Sequence, residues 1–285
     1  MDKSLVLGFF DGVHKAHKAV INSAFKNSDY VTLITFKDSP ALYFGKKAEY
    51  ILSSENSIKK IKELGVQEIV ELNFSEIISM PAKEYLEYLI NTYNPISIST
   101  GFNHTFGFNK EGNADFLDIT EHIYNYTYIC TPPVKENDNI ISSSLIRDLL
   151  TKGNVELANR LLESNFILEG TVIHGAKLGR TIGFPTANIK YPYELVKLPF
   201  GVYKANISAD NIKSMPAVMN WGMKPTVHNT VEPVAEVHIL GFEDDLYGKN
   251  IKIEVLKQIR NEKKFESLDE LKAQINEDIR QCSEL

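Results

Sequence analysis

The sequence predicts a doubly wound α/β domain over residues 1–150 and an antiparallel β domain over 166–285, joined by a helical segment, 151–165. Three observations predict it. In the first half, short apolar runs alternate with helical patterns, which implies right-handed βαβ units and a parallel sheet. From about residue 166, β-like segments follow one another across turn-rich gaps with no clear helix between them, the texture of a barrel or sandwich. The length, 285 residues, suits two domains.

Composition narrows the class. Hydrophobic residues are 43% and charged residues 24%, ordinary for a chain that buries a core. A net charge of −6 argues against a broad nucleic-acid footprint, leaving room only for a local basic pocket. Cys130 and Cys282 are too far apart for a disulfide framework or a zinc pattern. They read as thiols of a reducing compartment, with Cys130 buried in a strand. The apolar run Leu5–Phe10 is too short for a signal peptide and Asp11 interrupts it. No stretch reaches the ~20 apolar residues of a membrane helix. A cytoplasmic protein with no membrane partner is expected.

Leu5–Leu7 reads as a buried strand and Lys18–Phe25 as a helix. Between them lies Gly8-Phe9-Phe10-Asp11-Gly12-Val13-His14-Lys15-Ala16-His17. A loop that leaves a parallel strand and opens a helix is where α/β sheets bind phosphates, because helical N–H groups and the dipole favour an anion. His14 and His17, three apart, add two hydrogen-bond donors on one face. The same pair also fits a metal, with Asp11 as the local third ligand.

Val31–Phe36 is a strand and Ser57–Leu64 a helix, ended by Gly65. Glu68–Leu72 is a strand, Pro81–Asn91 a helix with proline in its first turn, and Pro95–Thr100 a strand. Gly101–Gly107 follows, a turn or a close approach to a ligand. In Ile141–Arg147, Ser142, Ser143 and Ser144 precede a helix carrying Arg147: N-capping alone, or a second phosphate cradle. Asn154–Glu163 is a helix with Val155, Ala158, Leu161 and Leu162 on one face.

In the second half, Leu168–Ile173, Val202–Ser208, Ala217–Trp221, Val234–Leu240 and Ile251–Ile259 are β-like. Ser267 and Glu270 form a capping box ahead of a helix striped by Leu268, Leu271, Ile275 and Ile279. The loop Gly175–Arg180 carries Lys177, Gly179 and Arg180. Glu236 and His238 share one face of a strand whose other face is Val237 and Ile239; Glu236 is either paired or a general base. Thr186 and Asn188 alternate along an extended chain, so their oxygens suit one Mg2+.

Together these motifs resemble the prokaryotic riboflavin kinase/FAD synthetase family over nearly the whole chain. The first loop resembles G-x-F-D-G-x-H-x-G-H, and Ile141–Arg147 resembles I-S-S-T-x-I-R. Gly170, Gly175, Gly179-Arg180, Gly183–Asn188, Gly201–Tyr203, Glu236–Ile239, Asp245–Gly248 and Ile259–Phe265 resemble the riboflavin kinase core. The resemblance implies a Rossmann-like nucleotidyltransferase domain and a β-barrel kinase domain. It implies that the kinase phosphorylates riboflavin to FMN with MgATP. Glu236 would then be the base, Thr186 and Asn188 the Mg2+ ligands, and Gly175, Lys177, Gly179 and Arg180 contacts to ATP. It implies adenylyl transfer to FMN, giving FAD and pyrophosphate, with His14, His17 and Arg147 catalytic. Gly8, Phe9, Asp11, Gly12 and Ser142–Ser144 would bind that ATP. Asn103, Phe106, Arg260 and Glu262 would bind flavin. Ala16, His104 and Ser144 depart from the family's usual glycine, aromatic and threonine, and the joint near Ser164–Phe166 lacks its usual glycine. Those departures motivate an alternative, a riboflavin kinase whose first domain is weakly active or regulatory. A flavin sensor is a third reading, which the Glu236, Thr186 and Asn188 set argues against. The oligomeric state is not specified by the sequence.

Overall fold

The computed structural model describes residues 2–175, 178–210, 212–225, 231–242 and 244–283. The chain divides into two compact units, residues 1–145 and 146–285.

The first unit runs β1 (Lys3–Leu7), α1 (Lys15–Ala24), β2 (Tyr30–Phe36), α2 (Pro40–Tyr43), α3 (Ser54–Glu63), β3 (Glu68–Leu72) and α4 (Phe74–Ile77). It continues with α5 (Ala82–Tyr93), β4 (Ser97–Gly101), α6 (Ala114–Tyr124), β5 (Thr127–Thr131), and the two-stranded hairpin of β6 (Lys135–Glu136) and β7 (Asn139–Ile140). The helix α7 (Ser143–Thr151) carries the chain past the unit boundary. The five long strands form one parallel sheet in the order β3-β2-β1-β4-β5. Period-two alternation along β1 decides what covers each face. Leu5 and Leu7 pack with Tyr85, Leu86 and Leu89 of α5 and Leu117 of α6. Val6 packs with Val20 and Ile21 of α1 and Ile61 of α3. Helices on both faces make the sheet doubly wound, as expected. The strand order reverses between β1 and β4, and a sheet of this kind binds ligands in the crevice beyond the strand ends at that point.

Local chemistry explains where boundaries differ from expectation. α1 starts at Lys15 rather than Lys18 because His14 caps it, and α3 starts at Ser54 rather than Ser57 because the Ser53 hydroxyl accepts from Asn56 N–H at 3.3 Å. Gly65 takes φ +90 just after α3, as a C-terminal glycine should. Cys130 lies in a strand but is exposed, not buried, because β5 is the edge of its sheet.

The second unit holds α8 (Val155–Leu162), β8 (Phe166–Thr171), α9 (Leu178–Thr181), β9 (Ala187–Lys190), β10 (Gly201–Ala209), β11 (Ile212–Pro225), β12 (Val231–Ile239), β13 (Asn250–Asn261) and α10 (Leu268–Ser283). Its strands form one antiparallel sheet ordered β8-β13-β10-β11-β12-β9. Ile173, just beyond β8, bridges Asn188 of β9, so the two outer strands meet and the sheet curls toward a barrel. Tyr203, Ile207, Met219, Trp221, Val237 and Ile253 fill its interior. Trp221 is the largest of these, and its indole N–H is satisfied by the Leu198 carbonyl at 2.9 Å.

Three features depart from the sequence reading. β11 extends well beyond Ala217–Trp221, the extended chain around Asn188 pairs as a strand of its own, β9, and α9 adds one helical turn where none was expected. α8 packs on β8 and β13. α10 packs on β10 and β11 and opens with the expected capping bond, Glu270 N–H to Ser267 Oγ at 3.2 Å. Its stripe is only partly covered: Leu268 is 53% exposed, and the helix's most buried side chains are Asp278 and Cys282. Asp278 receives Arg260 Nε and a terminal guanidinium nitrogen at 2.9 and 2.8 Å, a two-pronged pair that fixes α10 on the sheet.

Candidate active sites

The loop after β1 is bent by two consecutive left-handed residues, Gly12 at φ +86 and Val13 at φ +46. A β-branched residue there is strained by about 1–3 kcal/mol. Burial holds it: Val13 is fully buried and packs among Phe10, Val20 and Ile21. The bend turns the chain so that His14, 2% exposed, becomes the N-cap of α1. Its Nδ1 accepts from His17 N–H at 3.3 Å, which assigns the neutral ring's proton to Nε2. Nε2 lies 3.3 Å from Ser143 Oγ, and that hydroxyl donates to the Asp11 carbonyl at 3.0 Å. The His14 and His17 rings stack at 3.6 Å. The structure thus brings His14, His17 and Ser143 together from two distant segments.

The other residues predicted for this site lie in the first unit except Arg147, which lies past its boundary on α7. The Asp11 carboxylate is turned to the protein, accepting from Ile51 N–H at 2.9 Å and Leu52 N–H at 3.4 Å. Asp11 therefore shapes the site through the segment it fastens. Ser142 Oγ accepts from Leu145 N–H at 3.2 Å, an N-cap, while Ser144 is exposed. Arg147 lies one turn further along α7, half-buried. Gly8 follows β1, and Phe9 lines a cleft of about 410 Å³ with Thr35, Lys37, Tyr50, Ser57 and Glu71. None of those five was singled out in the sequence. They come from the ends of β2 and β3, the segment leading into α3 and the first turns of α3 itself, and only the fold brings them together.

Asn103 is exposed beyond β4, next to β1 in the sheet. Phe106 is not: its ring is in the core against Tyr85 and Phe116, and its backbone pairs with Gly112 at 3.0 Å in both directions. A Cβ on Gly107, at φ +72, would lie 2.6 Å from the Ala82 backbone, so the loop is seated tightly on α5. His104 stacks beside Phe106 at 5.8 Å with Nε2 buried and lacking a hydrogen-bond partner among the described residues. Burial pushes its pKa down to about 4. The unfolded chain protonates His104 near pH 6.5, whereas the folded one resists until about 4, so stability is full above 6.5 and falls as pH drops toward 4. The loss is at most about 3 kcal/mol. His104→Phe should remove an unsatisfied polar atom and this acid sensitivity together. Melting curves at pH 7 and pH 5 should show the variant more stable at both, by about 1 kcal/mol at neutrality and more at pH 5.

In the second unit, Glu236 stands directly opposite Asn188 of β9 on one side and Asn220 of β11 on the other. Residues in register share a face, so three polar side chains form a row across three strands. Asn188 is 6% exposed. The Gly175 backbone lies against it so closely that a Cβ would meet its amide at 2.6 Å. A Cβ on Gly179 would collide with the Phe184 carbonyl and meet Thr186 Oγ1 at 3.4 Å. Both glycines are thus required by close approach, Gly175 to Asn188 and Gly179 to Phe184 and Thr186. Lys177 and the Arg180 side chain lie outside the described residues. His238 shares the Glu236 face, as expected, and its Nδ1 contacts the Pro185 carbonyl at 2.8 Å. A cleft of about 460 Å³ opens beside Thr186, lined also by Val172, Pro185, Asp244, Asp245 and Tyr247. The His174 ring stands 4.0 Å from that of Tyr247.

Asn220 and Asp244 were missed as candidates. Asn220 did leave a signal, as the polar residue in the apolar run Ala217–Trp221. Of the two residues expected to touch flavin here, Arg260 is committed to Asp278 and lies 5.8 Å from the Phe265 ring. The Glu262 carboxylate is set against β11, 2.7 Å from where a Cβ of Gly222 would stand.

A family model for riboflavin kinase matches residues 162–285, and one for FAD synthetase matches residues 1–145. A Bacillus subtilis bifunctional riboflavin kinase/FMN adenylyltransferase is 36% identical over 96% of this chain and 89% of its own. The chain belongs to the bifunctional riboflavin kinase/FMN adenylyltransferase family. The Escherichia coli K12 member is 33% identical over 96% of this chain and 90% of its own length. A solved Streptococcus pneumoniae structure, described as a macrolide-efflux protein, shares the fold with a TM-score of 0.92 and 31% identity, covering all of this chain and 94% of that one. Among the described residues no helix is long and apolar enough to cross a membrane, and no cluster of three or more His, Cys, Asp or Glu is placed to hold a metal.

Proposed function

We propose that this chain makes FMN from riboflavin and then FAD from FMN, with kinase chemistry in residues 166–285, adenylyl transfer in 1–150 and 151–165 as the joint. The observation that carries the reading is the row Asn188–Glu236–Asn220, with Gly175 close against Asn188 and Gly179 close to Thr186. In the kinase step Glu236 takes the proton of the riboflavin 5′-hydroxyl as its oxygen attacks the γ-phosphorus of ATP, and ADP leaves. Thr186 and Asn188 offer neutral oxygens, a donor set that suits a Mg2+ completing its shell with phosphates and water. Bound there, Mg2+ would neutralise phosphate charge. Gly175 and Gly179, close against Asn188 and Thr186, let the backbone approach the nucleotide, so positioning does most of the catalysis.

In the adenylyl step a phosphate oxygen of FMN attacks the α-phosphorus of a second ATP, and pyrophosphate leaves. No protein nucleophile is required. The His14 and His17 rings, the α1 N-terminus and Arg147 stabilise charge on the phosphates. Ser143 orients His14, and the exposed Asn103 stands at the neighbouring strand end. The Arg260–Asp278 pair supports the flavin side by anchoring α10, with Glu262 against the sheet. Dependence on ATP fits a cytoplasmic enzyme.

Product analysis tests the reading. The protein is mixed with riboflavin, ATP and Mg2+, and flavins are separated over time. FMN rising first and FAD after it is the expected course. FMN accumulating without FAD would reject the adenylyl assignment, and no conversion of riboflavin would reject the kinase assignment.

A further inference from the structure

The β6–β7 hairpin has no part in the chemistry above. Asn137 and Asp138 at its tip are both left-handed, φ +47 and +64, the conformation that joins two strands by a tight two-residue turn. Ile141 N–H donates to the Val134 carbonyl at 2.9 Å and continues the pairing down to the start of α7. The hairpin is therefore a tightly turned, paired arm. From it Glu136 reaches Lys15 Nζ at 3.0 Å, across 121 residues of sequence. Both side chains remain a quarter exposed.

Lys15 is the first residue of α1, directly after His14. A cation there is opposed by the helix dipole, and the first turn of α1 holds no acidic residue to offset it. The turn needs an anion, and Glu136 supplies one. An ammonium on a flexible stem exchanges partners readily. A partly exposed ion pair is weakly held, and a polyphosphate carries more charge than one carboxylate.

We propose that Glu136 competes with the nucleotide for Lys15: ATP binding at the α1 N-terminus transfers the Lys15 ammonium from the Glu136 carboxylate to the phosphates. The inference rests on the adenylyl-transfer reading of this unit. It makes Lys15 a further phosphate-binding residue and Glu136 a built-in restraint on nucleotide affinity.

The test uses the full chain with saturating FMN and varied MgATP, following FAD. Lys15→Met should raise the KM for ATP about three- to tenfold. Glu136→Gln, nearly isosteric, should lower it by about two- to fivefold with kcat unchanged, matching the weakness of a pair of this exposure. Riboflavin phosphorylation should be the same in both variants as in the parent. An unchanged KM in Lys15→Met would overturn the proposal, because the ammonium then never meets phosphate. Glu136→Gln raising the KM as Lys15→Met does would also overturn it, showing the pair to be only a structural tie. Melting temperatures equal to the parent's would exclude misfolding as the source of either shift. Failure of the parent itself to form FAD would instead reject the reading beneath.

Discussion

Glu236→Gln should reduce FMN formation by about 10²–10⁴-fold while riboflavin still binds. The substitution changes little except the ability to take a proton. Glutamine has the same length and keeps a carbonyl oxygen, so cross-strand contacts with Asn188 and Asn220 remain available. Glu236 is half-buried on a strand whose other face, Val237 and Ile239, is core, so the variant should fold and melt as the parent does. FAD formation from added FMN should continue at the parental rate. A variant that still phosphorylates riboflavin within tenfold of the parent would mean that another group takes the proton. Asp244 and Asp245, which line the cleft beside Thr186, would be the next candidates. Loss of riboflavin binding would mean that Glu236 holds the flavin instead.

The sequence carried the architecture because each half has its own hydrophobic period. Leu5, Val6 and Leu7 are all buried in a strand covered on both faces, and such a run is legible without alternation. Ile251, Ile253 and Val255 alternate in β13 and are buried, also as the period requires. What the period could not carry was neighbourhood. Nothing local places Ser143 on His14, because that contact depends on α7 returning to β1 after 129 residues. The expectation for Cys130 failed for the same reason: strand type was legible and edge position was not. Phe106 and Arg260 show a third limit. Motif membership marked both, but it carried neither the packing of Phe106 in the core nor the pairing of Arg260 with Asp278. A residue type in a motif does not say which way the side chain turns.

His14→Ala and His17→Ala should each lower FAD formation from FMN by about 10²–10³-fold, the cost of removing one donor aimed at developing charge. FMN formation from riboflavin should be unaffected, because Glu236, Thr186 and Asn188 lie in the other unit. The two variants should part company in stability. His14 is also the N-cap of α1, accepting from His17 N–H, and it meets Ser143. Losing a cap costs about 1 kcal/mol, so His14→Ala should melt lower than the parent. His17→Ala leaves that cap bond intact, because the donor is the His17 backbone, and should melt close to the parent. His14→Asn separates the roles. Asparagine is a good cap, so the melting temperature should return. Its shorter side chain does not put an imidazole where the His14 ring stands, so FAD formation should stay low. If His14→Asn restored activity along with stability, His14 would be a cap and nothing more, and phosphate stabilisation would have to come from His17 and the helix terminus.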